Sequence, residues 1–152
     1  MPAQPRPWTP IPQDVSLLPV LRGLEECHAQ VGRLAARFLE NQGLTMAQFD
    51  VLVTLGDTPG MTCKDLGAWS LTTKGTLLPI LDRLEAKGLV SRSKGAEDRR
   101  QTIIFLTDAG QTLYQQVFTA YLAETGPRLA VFSPEEHDEL VRLLNKLRAA
   151  FV

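Results

Sequence analysis

The stretch from residue 62 to residue 106 constrains the fold of this chain more than any other. A helical pattern over residues 63–69 is followed, after a polar break, by a second helical segment. In that second segment Leu77, Leu81 and Leu84 recur at three- and four-residue spacing, so they share one face. The pattern predicts two short helices joined by a tight turn.

Signals for the start and the end of a helix flank the second segment. Thr72 or Thr73 can act as its N-cap, because a hydroxyl accepts a hydrogen bond from a first-turn amide that has no partner within the helix. Gly88 is suited to end the helix, since glycine tolerates the left-handed conformation that closes many helices.

A basic hairpin is predicted after the second helix. Strand-like runs at 89–92 and 102–106 flank a charged tip at 94–100. Helix, turn, helix and basic hairpin, in that order, is the layout of a winged helix-turn-helix, so double-stranded DNA is the first partner to consider. We therefore predict a mostly α fold with a small β-hairpin wing (α+β), in which the terminal helices lie outside the winged core.

The distribution of charge supports a phosphate-facing surface in this stretch. Residues 62–101 contain eight basic and five acidic side chains, a net charge of +3. The whole chain has a net charge of −1, so the remainder must be −4. A nearly neutral protein with one basic region is typical of local contact with nucleic acid.

Composition is that of a globular protein with a core. The 152 residues are 44% hydrophobic and 22% charged, which is ordinary for one domain. No stretch approaches the roughly 18 uninterrupted apolar residues of a membrane span, and the Pro-rich start at 1–12 lacks an apolar signal core. We therefore expect a cytoplasmic protein.

Helical regions are predicted on both sides of a winged domain at 44–107. An extended arm at 1–13 precedes a helical region at 14–43, and further helices are expected at 108–152. The terminal helices have broader apolar stripes than a small winged domain could cover. They are therefore predicted to form the dimerisation region of a homodimer, which would bind a palindromic operator.

Polar residues mark the expected starts of three helices. Thr45 opens a capping box, Thr107 can cap the helix after the hairpin, and Ser133 precedes a proline and two acids suited to a first turn. Gly126–Pro127 is expected to interrupt or end the helix that begins after Thr107.

Three blocks of the sequence resemble a known family. The segments at 44–55, 71–92 and 97–110 are similar, in order and spacing, to those of the MarR family of winged-helix transcriptional regulators. The resemblance covers nearly all of the chain after residue 14. It implies a dimeric, mostly helical repressor whose DNA affinity falls when a small phenolic compound binds or when a cysteine is oxidised.

The resemblance also implies two sets of DNA-binding residues. The second helix of the motif would bring to the major groove Thr72, Thr73, Lys74, Gly75, Thr76 and Leu77. The tip of the wing would contribute Lys94, Asp98, Arg99 and Arg100. In the family the aspartate steadies the arginine of an Asp-x-Arg pattern, here Arg100, whose guanidinium enters a narrow minor groove.

An alternative switch follows from residues 75–79, Gly-Thr-Leu-Leu-Pro, which resemble the peroxide-sensing OhrR branch of the family. Thiol oxidation would then act through Cys27 or Cys63. The sequence departs from that branch, because Cys27 lies too close to the winged motif and both tyrosines lie in a later helix. Cys27 lies on the apolar stripe of the first helix, which favours a buried, inert thiol. The proline of the run is expected to bend the second helix.

The resemblance further implies a pocket for a small aromatic effector between the first helix and the winged domain. The candidate lining residues are Arg33, Arg37, Phe49 and Trp69. From its position in the motif, Trp69 is instead expected to lie in the core of the winged domain.

An enzyme is not expected, and neither is a cofactor or metal. Two histidines and scattered acids supply no Ser-His-Asp set, no pair of carboxylates in a cleft and no metal cluster. Three classes of function remain: a DNA-binding repressor that responds to a ligand, the same regulator switched by thiol oxidation, and an interaction module that keeps the fold without DNA specificity.

Overall fold

The computed structural model describes residues 17–70, 74–95 and 100–151, with the side chain of Lys74 outside the description. Several expectations from the sequence lie outside these residues: the arm at 1–13, the cap at Thr72 or Thr73, and the tip residues Asp98 and Arg99.

Within that range the chain forms six helices and a small antiparallel sheet, which confirms the α+β fold class. The elements in order are α1 (Leu18–Asn41), α2 (Met46–Leu55), β1 (Met61–Thr62), α3 (Cys63–Trp69), α4 (Lys74–Ala86), β2 (Val90–Lys94), β3 (Thr102–Leu106), α5 (Asp108–Leu129) and α6 (Pro134–Ala149).

The sheet has three strands in the order β1-β3-β2, one more than the predicted hairpin. The added strand β1 pairs Met61 with Ile104, on the edge of β3 that faces away from β2. Two residues are too short for an alternating pattern, so no sequence signal indicated this strand. In the hairpin itself Lys94 pairs with Thr102. Lys94 is therefore the last residue of a strand, and not part of the tip.

Three of the predicted caps are confirmed. Thr45 accepts a hydrogen bond from the Gln48 amide and completes the expected capping box of α2. Ser133 opens α6 in the same way, and Thr107 accepts from the Gly110 amide at the start of α5. These interactions depend only on residues within one turn, which is why the sequence reveals them.

Neither proline inside a helix ends it. α4 runs through Pro79 as one helix, and α5 continues past Pro127 to Leu129, so the expected break at Gly126–Pro127 is wrong. A proline disfavours helical geometry at the preceding residue because its ring crowds that residue's Cβ. Gly126 has no Cβ, and Pro127 lies in the last turn, where little of the helix remains to be disrupted.

The core lies inside the winged domain and the adjoining parts of α1 and α5. Its fully or nearly buried side chains are Ala35, Leu39, Leu44, Phe49, Val51, Leu52, Leu55, Leu66, Leu77, Ile80, Leu81, Leu84, Val90, Ile104, Tyr114 and Val117. Aromatic rings join the two helical regions at its edge, since Tyr121 of α5 contacts Phe38 of α1 and Phe49 of α2 with centroid distances of 5.7 and 5.3 Å.

The outer parts of the terminal helices are not covered in the single chain. Residues 17–31 of the first helical region are all exposed, and none of the side chains of α6 is buried. Cys27 lies in this region and is exposed, so the expectation of a buried thiol is wrong for the single chain. The cause is simple: only the C-terminal half of α1 reaches the winged domain.

Candidate nucleic-acid interface

The second helix of the motif, α4, has a buried face and an open face. Leu77, Leu81 and Leu84 are fully buried, as their spacing predicted. The assignment of Leu77 to the DNA surface is therefore wrong, because a side chain with no exposed surface cannot enter a groove. The open face of the first two turns consists of Gly75, Thr76, Leu78 and Pro79, all exposed. Leu78 was not predicted as a surface residue from the sequence, which pointed to its neighbour instead.

The wing brings a second exposed set of residues beside α4. Lys94 is exposed at the end of β2, and Arg100 is exposed just before β3. A backbone hydrogen bond of 3.0 Å from the Gly95 amide to the Gln101 carbonyl extends the ladder toward the tip. The sheet therefore holds the base of the tip, where Lys94 and Arg100 lie.

Arg92 binds the wing to α4. The side chain of Arg92 is 28% exposed. Its guanidinium contacts the Asp82 carboxylate at 2.6 Å and the Glu85 carboxylate at 3.5 Å. From the sequence Arg92 counted only toward the basic surplus, because its partners lie across a turn of the chain. Both carboxylates, Asp82 and Glu85, are thus paired with a cation from the wing. The pairing reduces the negative charge that this side of α4 would present to a phosphate.

Other cations lie at the margins of the motif. Lys87 donates a hydrogen bond of 3.0 Å from Nζ to the Gly43 carbonyl, which ties the end of α4 to the turn after α1. Arg83 and Lys64 are exposed, the first on α4 and the second on α3. Lys64 follows Cys63, a half-buried residue at the edge of an open depression of about 550 Å³ between α3 and β3.

The predicted effector residues are not brought together in one pocket. Arg33 and Arg37 of α1 do line a cavity of about 340 Å³, together with Arg128 of α5. Its other lining residues are Gln30, Val31 and Leu34. Phe49 is instead buried in the core against Tyr121.

Trp69 belongs neither to that cavity nor to the core. Its side chain is 73% exposed, so the expectation that it lies in the core is wrong. The buried stripe of α3 runs through Cys63, Leu66 and Gly67, and this seven-residue helix ends at the tryptophan itself.

Metal-binding and membrane-spanning features are not found in the described part of the chain. Within residues 17–70, 74–95 and 100–151, no three His, Cys, Asp or Glu side chains are grouped so that they could hold a metal ion. Across the same residues, no helix has the length and apolar composition needed to cross a bilayer.

Sequence comparison with known proteins identifies the motif. The model of the MarR family matches residues 44–102. The chain is similar to the HTH-type transcriptional regulator TtmR of Methylorubrum extorquens, with 42% identity over 54% of this chain and 42% of that protein. It is also similar to the HTH-type transcriptional regulator MgrA of Staphylococcus aureus, with 30% identity over 84% of this chain and 86% of that protein.

Solved structures share the whole architecture. The crystal structure of AbsC, a MarR family transcriptional regulator from Streptomyces coelicolor, matches with a TM-score of 0.83 and 25% identity over 94% of this chain and 98% of that one. A mutant of MarR from E. coli, complexed with operator DNA, matches with a TM-score of 0.76 and 25% identity over 90% of this chain and 99% of that one. Fold, motif and relatives agree that the chain is a transcriptional regulator and not an enzyme: it belongs to the MarR family of DNA-binding winged-helix proteins.

Proposed function

We propose that the protein is a homodimeric repressor that binds a palindromic operator and is released from it by a small aromatic ligand. Two features of the chain together support this most. The first is the exposed face of α4 next to a basic wing, and the second is the uncovered apolar surface of the terminal helices. In this proposal residues 44–107 form the DNA-binding domain, and residues 14–43 and 108–152 form the dimerisation region. The cytoplasm is the compartment in which such a regulator would act.

The exposed apolar surface supports a dimer. In the single chain the large exposed hydrophobic residues of the terminal helical regions are Leu17, Leu18, Val20, Leu21, Leu24, Val31, Leu122, Leu129, Val131, Phe132, Val141, Leu143, Leu144 and Phe151. Apolar surface of this extent marks an interaction site in ordinary proteins. A second copy of the chain has the same surface and can cover it by two-fold symmetry.

Such a dimer presents two copies of α4. In helix-turn-helix dimers the second helix of each motif enters the major groove, and the two half-sites lie about 34 Å apart, one turn of the duplex. Gly75 and Thr76 lie on the exposed face that would enter the groove, and Lys74 lies at the start of that helix. Arg100 and Lys94 of the wing would reach the flanking minor groove and phosphates, with Asp98 and Arg99 in the roles that the family resemblance gives them.

The wing role is tested by the Arg100→Ala variant and a matched control, Arg22→Ala. Both remove one exposed arginine, but Arg22 lies in the first half of α1, where it pairs with Glu26. Operator affinity should fall by about 1–3 kcal/mol in Arg100→Ala and stay unchanged in Arg22→Ala. Equal affinities in gel-shift or fluorescence titrations of the two variants would rule out the wing contact.

The effector site is proposed at the cavity between α1 and α5. Arg33, Arg37 and Arg128 supply guanidinium groups suited to a carboxylate, and the aliphatic Val31 and Leu34 suit the body of a small aromatic acid. A ligand that binds only the native form raises the melting temperature, so a thermal-shift screen of aromatic acids tests the site. An Arg33→Gln, Arg37→Gln double variant should lose both the shift and the release from DNA. A shift that persists in the double variant would place the ligand elsewhere.

Thiol oxidation is the second candidate switch, through Cys27, which is exposed in the single chain, or through Cys63, which is half-buried. A Cys27→Ser, Cys63→Ser double variant should then stay on the operator under peroxide while the wild type is released. A wild type that never leaves the DNA on oxidation excludes this mechanism. The third class, an interaction module without DNA specificity, would be indicated by a stable dimer that binds all duplexes equally weakly.

A further inference from the structure

The open face of α4 is apolar and uncharged at three of its positions in the first two turns. Gly75, Leu78 and Pro79 supply no side-chain charge or hydrogen-bonding group, and Leu78 is 54% exposed although its neighbours Leu77 and Ile80 are buried. A single exposed leucine is common on protein surfaces, but Leu78 lies in the first two turns of the helix that would face the major groove. Its place in the fold suggests an apolar partner.

The position of Leu78 along α4 fits a contact with a base. Leu78, Asp82 and Glu85 form one stripe by their four- and three-residue spacing. The carboxylates of Asp82 and Glu85 are paired with Arg92 of the wing. Leu78 is the uncharged member of the stripe and lies nearest the N-terminal end of α4. The N-terminal residues of a recognition helix are those that contact base edges.

The surface next to Leu78 is also open. Gly75 lies one turn before Leu78, and among the described residues a Cβ atom built on Gly75 would meet no atom within 4 Å apart from its chain neighbours and its own helix backbone. Among the described residues, the side of Leu78 toward Gly75 is therefore open to a base edge.

We propose that Leu78 packs against the C5-methyl group of a thymine in each operator half-site and is a specificity-determining residue. The contact rests on the proposed function, because it needs α4 in the major groove. Thymine alone presents a methyl group there, beside its O4 acceptor, whereas the other bases offer leucine no methyl group to pack against. Leu78 would thus favour thymine by apolar contact and disfavour the polar edge of cytosine or guanine by leaving it without a partner.

The size of the effect can be estimated from the burial of one methyl group. That burial corresponds to roughly a fourfold change in affinity per half-site, and to roughly 15-fold when both half-sites of a palindrome lose the methyl group. Replacing thymine with uracil removes only this group and keeps the base pairing. The substitution therefore isolates the proposed contact.

The experiment uses the full-length protein and an operator selected by it from a pool of random duplexes. Thymines of the selected sequence are replaced by uracil one symmetric pair at a time, and each duplex is titrated with wild type, Leu78→Ala, Leu78→Met and Met46→Ala. At one symmetric pair of thymines, replacement by uracil should lower the affinity of the wild type roughly 15-fold. The affinity of Leu78→Ala should be the same for the thymine duplex and the uracil duplex. Leu78→Met keeps an apolar side chain of similar length, and Met46→Ala removes an exposed apolar residue of α2, so both should remain sensitive to uracil.

The outcomes separate the leucine contact from the function on which it rests. If selection yields an operator but no thymine shows an effect that depends on Leu78, the contact is overturned while operator binding stands. If the protein prefers no sequence at all, operator recognition fails and the contact falls with it. Because Leu78 is exposed, Leu78→Ala should unfold at the wild-type temperature, and a lowered unfolding temperature together with retained uracil sensitivity would overturn the contact.

Discussion

The hydroxyl of Tyr114 on α5 donates a hydrogen bond of 3.2 Å to Oδ2 of Asp57, in the turn that follows α2. The other carboxylate oxygen of Asp57 accepts from the Gln111 side chain at 3.4 Å. The backbone of Asp57 has a φ of +56°, in the left-handed region, which few residue types adopt without strain. This backbone conformation positions the carboxylate in the turn. The pair joins the winged domain to the helix that leaves it.

This contact predicts an unusual titration of Tyr114. Burial raises the pKa of its hydroxyl above the ordinary 10.0, and the hydrogen bond to Asp57 and the negative charge of Asp57 raise it further. Because the folded state favours the neutral phenol, the stabilisation is complete below pH 10.0 and is lost as the pH rises through the higher pKa of the folded protein. In a Tyr121→Phe background, absorbance of tyrosinate should therefore appear at higher pH than for free tyrosine, and Asp57→Asn should move it back toward 10.0. A Tyr114 pKa at or below 10.0 would contradict the contact.

Gly110 is predicted to tolerate no side chain. A Cβ atom at this position would overlap the Leu89 carbonyl oxygen, which itself accepts a hydrogen bond from the Thr107 amide. Backbone at both sides of the contact would have to move, so Gly110→Ala should lower the free energy of unfolding by about 3 kcal/mol or more. Gly75→Ala is the matched control, because that position on α4 is open and should show no loss. Equal stability of the two variants in urea denaturation would refute the prediction.

Loss of Arg92 should affect DNA binding more than stability. Its ion pairs are partly exposed, so Arg92→Ala should cost about 1 kcal/mol or less in folding free energy. It would leave Asp82 and Glu85 unpaired beside the phosphates, and operator affinity should fall, more strongly at low salt than at high salt. Adding Asp82→Asn and Glu85→Gln should recover much of the loss, because the repulsion is then removed. No recovery in the triple variant would show that Arg92 contacts DNA itself.

The proposed dimer predicts a specific sensitivity of α6. Leu143 and Leu144 are exposed in the single chain, and an aspartate at either position would place a charge in the proposed interface. A Leu143→Asp, Leu144→Asp double variant should sediment as a monomer and bind operator DNA poorly. Asn145→Asp, next along the same helix and off its apolar stripe, should remain a dimer. Dimeric behaviour of the double variant at micromolar concentration would exclude α6 from the interface.

The parts of the fold that depend on local chemistry could be predicted from the sequence. The caps at Thr45, Thr107 and Ser133 are read from residues within one turn, and the buried leucines of α4 from their spacing. Long-range pairing was not predicted, because β1 contains two residues whose partners lie more than 40 positions away in β3.

Exposure was the least predictable property. Trp69 and Cys27 are apolar enough to be expected inside. Trp69 is nevertheless exposed at the end of α3, and Cys27 lies on a part of α1 that the rest of the described chain does not cover. The candidate DNA surface shows the same limitation. Leu77 and Leu78 are identical in type, and only the orientation of α4 against the core decides which of them is available to a partner.

The ion pairs of Arg92 with Asp82 and Glu85 link the wing to α4. In the proposed DNA complex, a movement of the hairpin out of its groove while α4 stays in the neighbouring one would have to break both ion pairs. In the proposed dimer we therefore expect release from the operator to change the distance or tilt between the two winged domains, which distance measurements between spin labels on the paired α4 helices would record.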